Sequence, residues 1–282
     1  MPRRSVPEKA VVRYEAPALE KGLDIVELLA ERPDGLSQIE IARALDRTVG
    51  EIFRMLMALV RRGYIAIQPA SDRYILTLKL FELAHKNAPL DRLPKEAVPF
   101  MHALAAEIGQ SCHLAVVEDG HGVVIAQADS PGPIGFAVRV GTVINLLTSA
   151  SGRVLLAFSP PERRERLTEA ARSAPGFAAR HAAGVPHLAR IRGRGFEEME
   201  SARIRGIHDI SFPILDHQGA AIAALTVPFI ERVDDPGKGA MDAARAAIGR
   251  IAGELTAALS GRAANDAAPP LTPRAASRRK AT

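Results

Sequence analysis

The stretch from Ser37 to Arg62 constrains the fold of this chain most strongly, because it contains two signals for the start of a helix. Ser37 and Glu40 form one S-x-x-E pattern, and Thr48 and Glu51 form a matching T-x-x-E pattern. In such a capping box the hydroxyl and the carboxylate satisfy backbone N–H groups that the first turn of a helix leaves without partners. The pattern predicts two short helices that begin about eleven residues apart.

The second predicted helix has an apolar side and a polar side. Ile52, Leu56 and Leu59 recur at the spacing of one buried helix face. The opposite side carries Val49, Gly50, Glu51, Arg54 and Arg61. Two abutting helices of this kind form a helix-turn-helix, whose second helix lies in the major groove of DNA. From this segment alone, an ordinary helical hairpin inside a globular domain stays open as the alternative.

The flanking sequence favours the DNA-binding motif. Residues 64–68 and 73–78 alternate apolar and polar side chains around a turn with Pro69 and Asp72, which predicts a β-hairpin. A first helix is predicted ahead of the pair, with a buried face at Leu19, Leu23, Val26, Leu29 and Ala30. Three helices followed by a hairpin form a winged helix.

The overall charge is weaker evidence for a nucleic-acid partner than it first suggests. The formal net charge is +5 and the pI is near 9.6, values that invite such a partner. Residues 261–282, however, hold five basic side chains against Asp266 alone, which gives 5 − 1 = +4. This segment is rich in Ala and Pro, so we predict a disordered basic tail there and a flexible N-terminus at residues 1–16. The folded part is nearly neutral.

The sequence also argues against cysteine-based structural sites and against a membrane or secreted protein. The single cysteine, Cys112, excludes an internal disulfide framework and a Cys-rich zinc site. No apolar run approaches the length that crosses a bilayer, and the first ten residues lack the apolar middle of a signal peptide. We therefore expect a cytoplasmic protein with no membrane partner.

The second half of the chain predicts an α+β domain built on an antiparallel sheet. Strand patterns occur at residues 111–118, 123–128, 134–140, 206–215 and 220–227. Helical patterns occur at residues 94–109, 153–158, 162–171, 188–194, 196–201 and 239–259. Antiparallel strands with helices at both ends are typical of a sensor-like module.

The order and spacing of several short motifs resemble the IclR family of bacterial transcriptional regulators. The resemblance covers residues 18–260, nearly the whole chain, and it is the combination of motifs that is specific. In the first half the motifs are Leu19-x-x-Gly22, Gly35-Leu36-Ser37, Arg54-x-Leu56-x-x-Leu59-x-x-Arg62-Gly63-Tyr64 and Arg73-Tyr74-x-Leu76. In the second half they are Arg139-Val140-Gly141, Ser151-Gly152-Arg153, Gly195-Phe196 and the segment from Pro213 to Thr226.

The resemblance implies a winged helix-turn-helix that binds double-stranded operator DNA and a GAF-like domain that binds a small effector, assembled as a homodimer or homotetramer. It implies these segments: flexible residues 1–16, the DNA-binding domain at 17–77, a connector helix and linker at 78–91, the effector-binding domain at 92–260, and the tail at 261–282. We expect the connector helix to contribute to a dimer contact.

The recognition helix implied by the resemblance departs from the family pattern. Members usually have a Lys-Ser-Thr type sequence where this chain has Val49-Gly50-Glu51. Glu51 can accept a hydrogen bond from cytosine but cannot donate one to phosphate or guanine, and we favour a purely capping role for it. The DNA-contact residues we predict are Ser37, Arg47, Thr48, Val49, Gly50, Glu51, Arg54 and Arg73.

The effector site is transferred from the same resemblance. The predicted residues are Ser149, Ala150, Ser151, Met199, Asp209, Thr226 and Pro228. Members that bind small keto acids carry an Asp near Met199, a Cys at the position of Asp209 and Ser at the positions of Thr226 and Pro228. Met and Pro in place of Asp and Ser make the pocket less polar, so we expect a larger, partly apolar ligand such as an aromatic or hydroxylated organic acid. Ser149, Ser151 and the N–H groups at the start of the following helix can hold a carboxylate, and Asp209 can accept from a hydroxyl.

Two other classes of function remain as alternatives. Cys112–His113 and His208–Asp209 raise the possibility of an enzyme, but neighbours in a strand point to opposite faces, so neither pair can act as nucleophile and base. The histidines show no metal-ligand spacing, so we predict no metal site. We also predict no catalytic residues and no cofactor. A dimerisation or scaffold protein with a degenerate DNA-binding domain is the other alternative.

These observations lead to one functional prediction. The chain is expected to be a ligand-responsive transcriptional regulator that controls genes for the catabolism of a small organic acid, aromatic acids included. The effector is expected to favour one arrangement of the protein and so to change the fit of the winged helices to operator half-sites.

Overall fold

The computed structural model describes residues 16–86, 88–133, 135–173, 187–231 and 239–266. The chain divides into two compact units, Met1–Asp91 and Arg92–Thr282. The predictions of flexibility for residues 1–15 and of disorder for residues 267–282 fall outside the described residues. Each unit is described by itself below.

The first unit is a winged helix. Its elements are α1 (Pro17–Ala30), α2 (Gln38–Ala44), α3 (Val49–Arg61), β1 (Ile65–Ile67), β2 (Tyr74–Leu76) and α4 (Lys79–Lys86). Both predicted capping boxes form, at Ser37 with Glu40 and at Thr48 with Glu51. The two strands pair antiparallel, with Ile65 opposite Leu76. The predicted order of helices and hairpin is confirmed.

The core of the first unit differs in detail from the predicted helix faces. Buried apolar side chains are contributed by every element from α1 to β2: Ile25, Leu29, Ile41, Ala42, Ile52, Leu56, Ile65 and Tyr74. Leu19 and Leu23, predicted to be buried, are 63% and 50% exposed. Only the C-terminal half of α1 is covered by the rest of the unit, so the periodic apolar stripe extends beyond the surface that buries it.

The second unit is an antiparallel sheet with helices on both faces. Its elements are α5 (Ala88–Ile108), β3 (Cys112–Glu118), β4 (His121–Ala128), β5 (Val143–Ile144), α6 (Ala150–Ala157), α7 (Pro161–Ser173), α8 (Leu188–Arg194), β6 (Glu197–Glu200), β7 (Ile207–Leu215), β8 (Ala221–Ile230) and α9 (Ala240–Asp266). The strand order is β5-β4-β3-β8-β7-β6. The predicted α+β class with an antiparallel sheet is confirmed.

Several predicted elements of the second unit were wrong in type or extent. Residues 196–201 were predicted as helix, but Glu197–Glu200 form strand β6, which pairs with β7. Residues 135–139, predicted as strand, have no strand pairing in the described structure. Helix α9 continues to Asp266, past the predicted start of the tail at residue 261. For β6, pairing with the distant strand β7 decided the local conformation, which short-range patterns do not record.

The two faces of the sheet bury different kinds of side chain. One face packs on α5 and α9 through an apolar core that includes Leu104, Leu114, Ile210, Leu225, Val227, Ile248 and Leu255. On the other face, residues that are direct neighbours across β6, β7, β8 and β3 form a row of polar side chains: Glu197, Ser211, Thr226 and His113. All of these polar side chains are buried.

Helix α6 covers the polar row and satisfies most of it. The hydroxyl of Ser151 lies 3.3 Å from Nε2 of His113 and 2.8 Å from Oγ1 of Thr226. Thr226 is in turn 2.8 Å from the hydroxyl of Ser211. At the end of the row, the guanidinium of Arg153 pairs with the carboxylate of Glu197 at 3.4 Å.

Gly152 allows this helix to come close to the preceding loop. A Cβ at this position would lie 2.7 Å from the carbonyl oxygen of Asn145 and would meet the backbone of Leu146. The amide oxygen of Asn145 accepts from the N–H groups of Leu147 and Thr148, so the loop itself is held in a tight turn. A larger residue at position 152 would push α6 away from the loop.

His113 is held neutral by its surroundings. Burial lowers its pKa from 6.5 to about 4, because a charged imidazolium would lose its hydration there. If Ser211 donates to Thr226, Thr226 to Ser151 and Ser151 to Nε2 of His113, each of the three hydroxyl hydrogens in this series is used in a hydrogen bond. The proton of the neutral ring then sits on Nδ1, which finds no partner among the described residues.

We expect His113 to make the second unit less stable in acid. The unfolded chain takes up a proton near pH 6.5, whereas the folded protein does so only near a pKa of about 4. The free energy of unfolding should therefore fall as the pH drops through this window, and the share of His113 is about 3 kcal/mol. Urea denaturation at several pH values should show a shallower fall for His113→Asn than for the natural protein.

His217→Asn is the matched control, because His217 is exposed in the turn between β7 and β8. It should keep the pH dependence of the natural protein. An unchanged pH dependence in His113→Asn would contradict the assignment of a neutral, buried imidazole.

Candidate functional site

Helix α3 presents an exposed surface opposite its core side. Ile52 and Leu56 are fully buried, whereas Val49, Phe53 and Arg54 are exposed. Because successive residues of a helix are separated by about 100°, Gly50 and Arg54 lie opposite the buried side, whereas Val49 and Phe53 lie about 40° apart on the flank between the two. The predicted outer face of α3 is therefore present at Gly50 and Arg54. Val49 lies on the exposed flank instead, together with Phe53, which the sequence prediction did not include.

The carboxylate of Glu51 is occupied inside the unit. It accepts from the backbone N–H and from the hydroxyl of Thr48, both at 2.9 Å, and it lies 3.2 Å from Nζ of Lys21. The hydrogen bonds from Thr48, followed by the contact with Lys21, lower the pKa of Glu51 to about 2. The predicted capping box of Glu51 is confirmed, and its side chain stays ionised.

Ser37 and Arg73, both predicted to contact DNA, are also engaged internally. The hydroxyl of Ser37 accepts from the N–H of Glu40, and Ser37 donates its own N–H to the carboxylate of Glu40. The guanidinium of Arg73 lies 3.0 Å from the carboxylate of Glu40 and donates to the carbonyl of Gly35. These bonds join the wing strand β2 to the start of α2.

Other arginines around α3 carry no such pairs. Within the described ranges, no ion pair involves the exposed side chains of Arg43, Arg47, Arg54, Arg61 and Arg62. Phosphate groups of nucleic acid are bound by side chains of this type. The first unit thus combines two paired carboxylates, those of Glu40 and Glu51, with free guanidinium groups, and the exposed carboxylate of Asp46 between α2 and α3 has no ion pair in the described ranges.

The second unit contains a cavity of about 350 Å³, a volume within the range of roughly 300–1,000 Å³ that is typical of ligand pockets. Of the predicted effector residues, Ser149, Ala150, Ser151, Asp209 and Thr226 line it. Met199 and Pro228 do not line it, although each is a direct neighbour of Asp209 in the sheet. Pairing with Asp209 in the sheet places Met199 and Pro228 near the cavity, but neither residue is part of its wall.

The cavity wall combines apolar and cationic side chains. The apolar part includes Phe136, Val138, Ile144 and Ile204. Two guanidinium groups, those of Arg139 and Arg203, line it as well. Asp209 lines the same cavity, and burial raises its pKa, against the opposing effects of Ser201, His208 and Arg203. The arrangement suits a ligand with an apolar body and an anionic group.

The first turn of α6 forms another part of the wall. The hydroxyl of Ser149 caps the helix by accepting from the N–H of Gly152 at 3.1 Å. The first N–H groups of a helix have no acceptor inside the helix, and Ala150 and Ser151, the first residues of α6, line the cavity. Backbone N–H groups at a helix start bind carboxylates and phosphates.

Sequence reasoning missed several residues of the pocket. His113, Asn145, Phe136 and Arg203 line the cavity and were not predicted. The sequence pattern shows only that His113 cannot pair with its neighbour Cys112, and not which groups surround it. The alternation of β3 was the available signal: it places His113 on the face that α6 covers.

The structure gives no support to the enzyme alternative based on Cys112. Its side chain lies in the apolar core, where Sγ donates to the carbonyl of Met101, while His113 lies on the opposite face of β3. Burial raises the pKa of the Cys112 thiol to about 12, so a reactive thiolate is disfavoured. Among the described residues, no group of three or more His, Cys, Asp or Glu side chains is placed to hold a metal. No described helix is long and apolar enough to cross a membrane.

Two family models match this chain and together cover most of it. The IclR helix-turn-helix domain matches residues 18–69, and the C-terminal domain of bacterial transcriptional regulator IclR matches residues 90–251.

The relatives agree with these matches. The transcriptional regulator KdgR of Escherichia coli is 28% identical over 202 residues, which are 71% of this chain and 76% of KdgR. BhcR of Paracoccus denitrificans is 29% identical over 221 residues, which are 74% of this chain and 76% of BhcR. These relatives are transcriptional regulators and not enzymes.

Solved structures show the same fold. The Thermotoga maritima IclR has a TM-score of 0.61 at 21% identity and covers 84% of this chain and 98% of its own. An IclR homologue from Microbacterium hydrocarbonoxydans, solved with 4-hydroxybenzoate, has a TM-score of 0.64 at 22% identity and covers 84% of this chain and 99% of its own. This chain is therefore a member of the IclR family, a DNA-binding transcriptional regulator with an effector-binding domain.

Proposed function

We propose that this regulator binds a small aromatic acid in the cavity of its second unit and controls genes for the catabolism of that acid. The cavity carries this proposal: Arg139, Arg203 and the first turn of α6 offer positive charge and N–H donors beside an apolar wall. A carboxylate needs such donors, and an aromatic ring needs the apolar surface.

A hydroxyl on the ring fits the remaining polar groups. Asp209 accepts from a ligand hydroxyl when ionised, and its raised pKa also lets it donate when protonated. The relative from Microbacterium hydrocarbonoxydans that was crystallised with 4-hydroxybenzoate supports a ligand of this class. We therefore take 4-hydroxybenzoate as the first compound to test.

The first unit is proposed to bind operator DNA through α3. Arg47 and Arg54 are the predicted contact residues that the described structure leaves without internal ion pairs. We propose a homodimer or homotetramer in the cytoplasm. Exposed apolar side chains on and beside α4, among them Leu78, Leu80 and Leu83, support an interface there.

Effector and operator are proposed to be linked through their differential affinity for two states of the protein. An effector that changes operator affinity by some factor must itself bind the operator complex with an affinity changed by the same factor. This reciprocity separates a true effector from a compound that merely binds.

The Arg54→Ala variant should bind operator DNA at least about fivefold more weakly, because it removes a free guanidinium from the outer face of α3. Its affinity for effector should not change. Fluorescence anisotropy with the DNA upstream of its own gene, compared with scrambled DNA, measures the first quantity, and a preference of roughly a thousandfold marks a specific site. Arg166→Ala, on the exposed side of α7, is the control. Unchanged operator affinity in Arg54→Ala would contradict the role of this face.

The Gly50→Ala variant should fold more stably and bind operator DNA less tightly. Nothing inside the protein lies within 4 Å of a Cβ at this position, and alanine in a helix is more stable than glycine, here by about 0.5 kcal/mol. The added methyl would hold DNA away from the backbone of α3. Thermal unfolding and the anisotropy assay measure the two effects. A gain in stability with full DNA affinity would show that DNA does not approach Gly50.

The Ser151→Trp variant should lose the response to effector while it still binds operator DNA. We expect 4-hydroxybenzoate to change operator affinity by about fivefold or more in the natural protein, and an indole at position 151 would fill the cavity. Gln218→Trp, in an exposed turn, is the control for adding a tryptophan. Arg139→Ala should weaken acid binding without filling the cavity. A full response in both cavity variants would place the effector elsewhere.

A further inference from the structure

We infer that Val49 and Phe53 recognise thymine methyl groups in the major groove of the operator. This inference rests on the proposed binding of DNA by α3 and specifies what that helix reads. Both side chains are apolar, whereas the usual specific contacts to bases are hydrogen bonds.

Both side chains are exposed although they are apolar. Val49 is 42% exposed and Phe53 is 48% exposed, while Ile52 and Leu56 of the same helix are fully buried. Residues four apart in a helix lie on the same side, about 40° from each other and one turn apart. Val49 and Phe53 thus form one small apolar surface on an exposed flank of α3, beside the buried side of the helix.

The neighbouring positions offer few hydrogen-bonding groups for a base edge. Gly50 has no side chain, and the hydroxyl of Thr48 and the carboxylate of Glu51 bond to each other. Arg54 remains as the free donor on this face within the described structure. The first two turns of α3 therefore present one guanidinium beside two apolar side chains.

Base chemistry identifies what this combination can read. In the major groove the thymine C5-methyl is the apolar group on a base edge, and apolar side chains contact it, whereas arginine pairs with guanine O6 and N7. A stretch with thymine next to guanine on one strand, or across adjacent base pairs, would satisfy Val49, Phe53 and Arg54 together. The open space at Gly50 lets the helix backbone approach that edge closely.

Charge favours DNA over an apolar protein partner for this surface. Arg47 lies just before α3 and Arg54 lies within it, and both are exposed and without ion pairs in the described ranges, against one unpaired carboxylate, that of Asp46 in the same turn as Arg47. The nearby carboxylates of Glu40 and Glu51 are already paired with Arg73 and Lys21. A polyanion neutralises the free guanidinium groups, whereas an apolar protein surface would leave them unpaired or bury them at a cost.

The test removes thymine methyl groups one at a time. The full-length protein first selects its best duplex from a random-sequence DNA library, and each thymine of that duplex is then replaced by deoxyuridine, which differs only by the missing methyl. At one or more positions in each half-site, the natural protein should bind the uracil duplex about fourfold more weakly, the value of one buried methyl group.

Variants assign the effect to particular side chains. Val49→Ala or Phe53→Ala should bind the thymine duplex more weakly, and the variant should no longer distinguish uracil from thymine at its own position. Ile222→Ala, an exposed apolar residue of the second unit, should discriminate as the natural protein does.

The outcomes separate this inference from the proposed function. Tight, selective binding that no uracil substitution weakens would overturn the methyl contact while leaving operator binding intact. A change in oligomeric state in Phe53→Ala, with uracil discrimination retained at every position, would also overturn it and assign Phe53 to a protein interface. Failure to select any sequence would instead count against the proposed operator binding itself.

Discussion

The close approach of α6 to the sheet is the constraint on which the effector domain depends. The row of His113, Thr226, Ser211 and Glu197 is buried, and such groups cost about 1–3 kcal/mol each when their hydrogen bonds are missing. Ser151 and Arg153 supply these bonds from one helix. The helix can reach them because Gly152, which lies between the two, has no side chain to meet the Asn145 loop.

Helix α6 also forms part of the cavity wall, so the same residues contribute to the packing of the fold and to the candidate site. Ser149 and Ala150 begin the helix at the cavity, Ser151 faces both the cavity and the polar row, and Arg153 holds the far end of the row. A helix turn is rigid on this scale, so a ligand that moves the first turn must disturb the hydrogen bonds of Ser151. Under the proposed function, such a movement would give the occupied and empty states different internal contacts, which a ligand-dependent equilibrium requires.

The sequence predicted those features whose causes are local. The capping boxes at Ser37 and Thr48 depend on residues three apart, and both formed. Strand β6 was predicted as helix because its conformation depends on pairing with β7, and on the burial of Glu197 against Arg153, 44 positions earlier. The predicted pocket residues Ser149, Ala150 and Ser151 line the cavity, whereas His113 was missed. Its role depends on which face of β3 is covered, and that is decided by α6 rather than by neighbours in sequence.

The glutamates of the first unit favour its helices but would oppose the binding of DNA. Two glutamates begin its helices, where they favour helix formation, yet a carboxylate near α3 would repel phosphate. Glu51 is paired with Lys21 of α1, and Glu40 with Arg73 of the wing. Exposed ion pairs of this kind contribute little to stability, so their larger effect is on the field around α3. Because capping lowers the pKa of both carboxyls, the pairs persist in mild acid, and the arginines that remain free set the sign of the charge that DNA meets.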